Sequence, residues 1–329
     1  MKALVTGSTG FIGSHITDKL IEKGFQIRCL IRRGSNTRWI PKHKKVEIYE
    51  GDFFNAESLR SAVEDVNYVF HSAGLNFSKN KSDYHNVNTL ATKALAETVI
   101  KYSSNFERFV YIGSLTASGP SSSLTNPKTE DMERNPVTAY GLSKKNAEDE
   151  IIKLTGKLPF TITKPPAVYG PRDTAIFEII RMMHYGFAVH IGYNDKYISV
   201  IFVEDLANAV TDIINYEKTL NQSYFIADDN YYNWNYISDV FKKVMNKSFY
   251  IKLKVPDSLT KGIGKSLENI YAIFGKHPKF DYDKGLDFTQ QYWTCSVEKA
   301  KNDFGFRTRY SFEESMKITY DWYKQNKWI

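Results

Sequence analysis

The chain has 329 residues, 42% of them hydrophobic and 25% charged. These are globular proportions and exclude a disordered, collagen-like or coiled-coil chain. Lysine and arginine total 44 against 37 acids, a net +7, but the charges look scattered, so a basic tail is excluded and no basic stripe points to nucleic acid.

The start of the chain, Met1-Lys2-Ala3-Leu4-Val5, carries no signal-like stretch, which makes a cytoplasmic location the expectation. No run of eighteen apolar residues is present, so no membrane span is expected. Residues 3–5, 27–31, 46–49, 68–70 and 109–112 read as buried strands. Helical patterns fill 11–23, 56–64, 86–102 and 138–154 between them. This alternation predicts βαβ units and a doubly wound parallel sheet, an α/β fold. After Pro165-Pro166 the texture changes. Helices are expected near 174–185, 203–216, 234–246 and 312–325, with short strands near 198–202 and 223–227. The division that follows is a nucleotide-binding domain over 1–164, with returning segments about 198–227. A smaller, mostly helical C-terminal substrate domain would take 165–197 and 228–329. Leu259, Ile263, Leu267, Ile270, Tyr271 and Phe274 form a helical apolar stripe. It reads first as packing onto its own domain, with a lid or a membrane-surface helix as the alternative.

Gly7-Ser8-Thr9-Gly10-Phe11-Ile12-Gly13 follows the first strand and opens the first helix. Glycine allows a tight turn and a close approach of backbone to a pyrophosphate, which the free N–H groups of the helix end would bind. Gly7, Thr9, Gly10, Phe11, Ile12 and Gly13 are therefore cofactor-binding candidates, and the sheet reads as a Rossmann fold. The second strand ends in Arg32-Arg33, where NAD-binding chains usually place an acid for the ribose hydroxyls. Arg32 suits a 2′-phosphate, so NADP is expected ahead of NAD. Asp52 and Phe53 after the third strand would meet the adenine. Ser72, Ala73 and Gly74 end the fourth strand with small residues over which a cofactor can lie.

Tyr140 and Lys144 stand four apart in a predicted helix, on one face. A phenol with an ordinary pKa of roughly 10 exchanges protons poorly at neutral pH. A neighbouring ammonium favours the phenolate and makes it a usable acid and base. Ser114, at the end of the fifth strand, can hold a substrate oxygen while tyrosine transfers the proton.

With these residues in place, the sequence resembles an extended short-chain dehydrogenase/reductase over essentially its whole length. That family includes NAD-dependent epimerases and dehydratases, dihydroflavonol reductases and 3β-hydroxysteroid dehydrogenases. Val87-Asn88-Thr89 is similar to its Asn-bearing helix, and Pro165-Pro166-Ala167-Val168-Tyr169-Gly170-Pro171 to its nicotinamide-facing loop. The resemblance implies Tyr140 as acid/base, with Lys144 on the ribose hydroxyls. It implies Ser114 on the reacting oxygen, Asn88 supporting a proton-relay water, and Pro165 and Val168 against the nicotinamide. It also implies a homodimer. Gly113 departs from the pattern, many relatives having a second serine there.

Three chemistries remain on this scaffold. One is an NADP-linked reductase or dehydrogenase acting on a small-molecule carbonyl or alcohol. Another is a nucleotide-sugar epimerase or dehydratase with tightly held NAD, and the third a non-catalytic dinucleotide-binding protein. Ala167 and Ile198 stand where sugar-nucleotide members commonly carry Asn and Arg for a diphosphate, although Lys196 or Arg172 could substitute. No metal is expected, since no histidines have ligand spacing.

Overall fold

The computed structural model describes residues 1–78, 80–273 and 280–329. In the first half β1 (Lys2–Thr6), α1 (Phe11–Glu22), β2 (Gln26–Ile31), β3 (Val46–Glu50), α2 (Ala56–Val63) and β4 (Tyr68–His71) follow one another. Next come α3 (Lys81–Tyr84), α4 (Ala91–Tyr102), β5 (Arg108–Ile112), α5 (Ala139–Ile152) and β6 (Phe160–Lys164). Then β7 (Ala167–Tyr169), α6 (Phe177–His184), β8 (Phe187–Ile191), β9 (Tyr197–Ile198), β10 (Val200–Phe202), α7 (Val203–Asp212) and β11 (Gln222–Phe225) follow. The chain closes with β12 (Tyr232–Asn233), α8 (Trp234–Val244), β13 (Ile251–Val255), α9 (Asp257–Ile273), α10 (Tyr282–Thr289), β14 (Tyr292–Trp293), α11 (Glu298–Phe304) and α12 (Phe312–Gln325).

Seven strands form one sheet in the order β11-β6-β5-β4-β1-β2-β3, and every pairing within it is parallel. Alternate side chains feed two cores. Ala3, Val5, Ile27 and Cys29 meet Ile16 and Leu20 of α1 and Leu206 and Val210 of α7. Leu4, Val69, Phe109 and Tyr111 meet Leu59, Leu95, Val99 and Ile151 on the opposite side. Helices on both faces give the doubly wound Rossmann architecture expected from the alternation. The strand order reverses between β1 and β4, so the strand tips there open a crevice suited to a ligand.

Some expectations change. The third strand is not fully buried: it closes one edge of the sheet, and Glu47, Ile48 and Glu50 are exposed. The helix expected from 86 begins at Lys81 and passes through a π-helical stretch at His85–Leu90 before α4. β6 was not apparent because threonine interrupts its apolar run. Those hydroxyls are satisfied internally, Thr161 Oγ1 donating to Thr219 O at 2.8 Å and Thr163 Oγ1 to Tyr111 O at 3.2 Å. The strand region near 198–202 divides, β9 joining β12 and β14 while β10 pairs with β7. Phe274 lies outside the described residues.

Candidate active site

At the crevice the glycine turn is built by close contact. Gly7 has φ +73°, and a Cβ there would stand 2.7 Å from Ala73 N. A Cβ on Gly13 would collide with the Gly7 carbonyl. The tips of β1 and β4 and the start of α1 thus touch through backbone alone. Gly10 caps α1 without a side-chain hydrogen bond, and its first turn holds no acid. The positive end of the helix is left open beside Phe11, Ile12 and partly exposed Thr9, which fits a pyrophosphate.

Arg32 is exposed just beyond β2 and makes no ion pair among the described residues. A turn fixes its backbone, Ser35 N donating to Arg32 O at 3.1 Å. Asp52 stands on the neighbouring strand end, one of its oxygens accepting from Phe54 N at 2.9 Å. Phe53 lies edge-on to the His71 ring at 5.7 Å. His71, not singled out from sequence, ties the crevice floor together. Its Nδ1 meets Thr6 Oγ1 at 2.6 Å and its Nε2 meets Thr92 Oγ1 at 2.8 Å. Burial pushes its pKa down to about 3, so it is neutral. Ser72 N and Ala73 N both bond back to Thr6.

The catalytic candidates converge beside this cradle. Ser114 Oγ accepts from Thr116 N at 3.2 Å and Thr116 Oγ1 at 2.8 Å. Its own proton is not used in these bonds, and its hydroxyl acts on the Tyr140 phenol, whose pKa it lowers. Thr116, also missed from sequence, therefore orients the serine. Thr138 caps α5 by accepting from Gly141 N at 3.1 Å. A Cβ on Gly141 would stand 2.5 Å from Thr116 O, so the missing side chain lets α5 press on the serine turn.

Lys144 is buried and donates to Ile112 O at 2.7 Å, with its ammonium 4.4 Å from the Tyr111 ring centroid. Burial lowers its pKa to about 8, opposed by the Glu148 charge. Burial also pushes Tyr140 up to about 12, only partly opposed by the Ser114 hydrogen bond. The expected lowering of the tyrosine by its lysine is therefore not found: burial dominates, and the ammonium is engaged by the Ile112 carbonyl.

Asn88 sits in the π-helical stretch and is 1% exposed. Its amide accepts from Leu75 N at 2.7 Å and donates to Leu75 O at 3.1 Å and Ser143 Oγ at 2.9 Å. Ser143 in turn donates to Tyr140 O at 2.7 Å. These bonds clamp the loop after β4 to α5. Pro165 O accepts from Leu115 N at 2.9 Å, and Val168 lies in β7 beside it. Glu148 explains Gly113: a Cβ there would stand 2.6 Å from its carboxylate.

A cap from the C-terminal region completes the site. Asp283 of α10 accepts from Ala139 N at 2.9 Å and pairs with Lys81 at 3.2 Å. Lys284 lies 5.7 Å from the Tyr140 ring centroid and 5.6 Å from that of Phe77. Asp287 is raised to about 6 by burial, and its Oδ1 has no partner among the described residues. No local signal in the amino-acid pattern marks α10 as part of the site.

The charged stand-ins for a diphosphate clamp are already engaged. Lys196 donates to Thr289 O at 2.7 Å and pairs with Asp257 at 3.0 Å. Arg172 pairs with Asp18 at 2.8 Å and stacks on Trp39. Among the described residues no group of three or more His, Cys, Asp or Glu is placed to hold a metal.

Comparison with known proteins agrees with this geometry. Residues 3–227 match the model of the NAD dependent epimerase/dehydratase family. The chain is 26% identical over 335 residues to the ceramide reductase of Caulobacter vibrioides, covering 99% of this chain and 95% of that one. It is also 26% identical over 330 residues to the UDP-glucose 4-epimerase of Vibrio cholerae, covering 96% and 93%. The crystal structure of gox2253 superposes with a TM-score of 0.82 at 22% identity, covering 98% of each chain. The protein belongs to the NAD dependent epimerase/dehydratase family, within the extended short-chain dehydrogenases/reductases, and is an enzyme of that family.

Proposed function

We propose that this family member is an NADP(H)-linked oxidoreductase that interconverts a carbonyl and an alcohol on a largely apolar small molecule. The observation that carries the reading is the convergence of Ser114, held by Thr116, with Tyr140 and buried Lys144 beside the glycine cradle. Arg32, exposed and without an ion pair among the described residues, supports NADP, since a guanidinium can take a 2′-phosphate through two bonds at once. Engagement of Lys196 and Arg172, together with Ala167 and Ile198, supports net redox chemistry over a nucleotide-sugar reaction. The aromatic rings of Tyr84, 6.2 Å from that of Tyr140, and Phe77 support an apolar substrate.

The residues present fit the dinucleotide. Gly7, Thr9, Gly10, Phe11, Ile12 and Gly13 would hold the pyrophosphate, Arg32 the 2′-phosphate, and Asp52 and Phe53 the adenine. Ser72, Ala73 and Gly74 would lie beneath it, with Lys144 on the ribose and Pro165 and Val168 at the nicotinamide end. When bound, the cofactor supplies or accepts the hydride. The chain manages the proton. Tyr140 keeps its proton at neutral pH and donates it to the carbonyl oxygen, while Ser114, fixed by Thr116, donates a second hydrogen bond there. Asn88 acts as a positioning residue, through Ser143 and the loop after β4. The reading includes a cytoplasmic homodimer. Leu90 (39% exposed), the last residue of the π-helical stretch before α4, and Leu142 (49%) on α5 offer apolar surface for a second copy.

Cofactor analysis tests the assignment. Denatured protein should release little dinucleotide, and emptied protein should bind NADPH more tightly than NADH. Dialysis-resistant NAD at near one per chain would turn the reading to the epimerase or dehydratase.

A further inference from the structure

We propose that the face built by β8, β13 and α9 docks on an anionic lipid surface. Much of the apolar stripe of α9 is left uncovered, although Leu267 is half-buried. Leu259 is 56% exposed, Ile263 45% and Ile270 50%, and their spacing places them on one side of the helix. α9 meets α10 through a different side, where Thr260 is buried and a Cβ on Gly264 would collide with the Asp281 carbonyl.

The strand pair leading into α9 has the same character. Its register sets Ile251 beside Phe187, Leu253 beside Val189 and Val255 beside Ile191. Side chains alternate along strands, so these six apolar residues share one face while Ala188 and His190 turn inward and are buried. Phe187, Ile251 and Leu253 remain exposed on that face, and Tyr185 and Phe249 are exposed in the segments preceding these strands. An apolar surface concentrated in this way marks an interaction site.

Charge identifies the occupant. Residues 242–265 hold seven lysines against one acid, Asp257, a net +6 of the whole chain's +7. The impression of evenly scattered charge is therefore wrong for this segment. Lys243 pairs with Glu313 and Lys265 with Glu268. Lys247, Lys252, Lys254 and Lys261 make no ion pair among the described residues. Lys252 and Lys254 alternate with Ile251 and Leu253 and so leave from the other side of β13. Both are exposed, Lys252 donating to Asn235 Oδ1 at 3.2 Å, and both lie within a Debye length of any surface the apolar side chains enter. A second copy would bring the same positive charge against this face and be repelled. An acidic bilayer meets both demands, apolar acyl chains for the stripe and phosphates for the lysines. No described helix is long and apolar enough to cross a membrane, so the contact is peripheral. It sets the lipid surface one helix from Tyr140, because α10 lies between. The docking does not depend on the chemistry proposed above.

The test is co-sedimentation of the full chain with phosphatidylcholine vesicles, with and without phosphatidylglycerol. Binding should require phosphatidylglycerol and weaken with added salt. Lys252→Glu with Lys254→Glu should lower the partition coefficient by about tenfold or more, as each lysine near an acidic surface contributes about fivefold. Leu259→Glu with Ile263→Glu should lower it by a similar factor. An unchanged circular dichroism spectrum and thermal transition show that a variant is folded, and the lysine pair, on an exposed strand, remains informative if the helix variant fails to fold. No binding to acidic vesicles would overturn the proposal, as would binding unchanged in both variants. Self-association that Leu259→Glu with Ile263→Glu abolishes, without vesicle binding, would assign the face to a second copy instead.

Discussion

The cofactor cradle and the cap laid over it are made of different material. At the cradle, backbone does the positioning: Gly7 and Gly13 let β1, β4 and α1 touch, and the open end of α1 supplies the donors. At the cap, side chains from distant parts of the chain do it. Asp283 reaches Ala139, Lys284 reaches the rings of Tyr140 and Phe77, and Lys196 ties α10 to α9 through Thr289 and Asp257. A backbone cradle recognises what all dinucleotides share, while a side-chain cap can differ between members of a family. The shared chemistry should therefore reside at the cradle, and choice of substrate at the cap.

The largest effect should come where the two regions meet. Tyr140→Phe removes the transferable proton and should lower kcat by about 10²–10⁴-fold. NADPH affinity, set by the cradle, should stay near wild type in a fluorescence titration. A parallel loss of affinity would show that tyrosine serves binding rather than chemistry. Within the cradle, Arg32→Asp removes a charge-assisted contact and should shift the NADPH/NADH preference by about 10–100-fold toward NADH. Unchanged affinity for both would reduce the arginine to a surface charge.

A smaller effect concerns pH. Lys144 has a pKa lowered to about 8, so it is charged at neutral pH and loses its proton above that value. Reductive kcat/KM with NADPH should hold steady below pH 7 and fall as pH rises through about 8. A profile with no limb there would place Lys144 outside the rate-determining contacts.

The smallest effect belongs to the cap. Asp287 has its folded pKa raised to about 6 from an unfolded value of 3.8. The folded state then holds the proton more tightly, so stability falls as pH rises from about 4 through 6 and the deficit stays constant above. Asp287→Asn should recover about 1–2 kcal/mol at pH 7–8 and nothing near pH 4, read from denaturant unfolding at each pH. A destabilised variant at neutral pH would mean that the carboxylate has a partner it needs.

The same contrast explains what the sequence revealed. Gly7, Gly13, Ser114, Tyr140 and Lys144 stand at fixed offsets from strand ends or along one helix, so local spacing exposes them as candidates. The five strands up to residue 112 were legible because both faces of most are covered and their apolar runs are nearly unbroken. β6 was not, because Thr161 and Thr163 satisfy their hydroxyls through bonds to residues 58 and 52 positions away. Asn88 was legible only as part of a family pattern, and its clamp on Leu75 and Ser143 needed coordinates. Nothing local marks Lys284 or Asp287, whose meeting with Tyr140 spans more than 140 residues. The α9 stripe was visible as a period, but its exposure depends on what the rest of the fold leaves uncovered.

The most direct test of the central claim is whether reduced cofactor is consumed. Purified protein with excess NADPH and a panel of apolar ketones and aldehydes would be followed by the absorbance of the reduced nicotinamide, with product alcohol measured alongside. The account predicts one NADPH lost per alcohol formed with wild-type protein, and almost none with Tyr140→Phe. No net consumption by a protein that instead retains NAD and interconverts nucleotide sugars would contradict it.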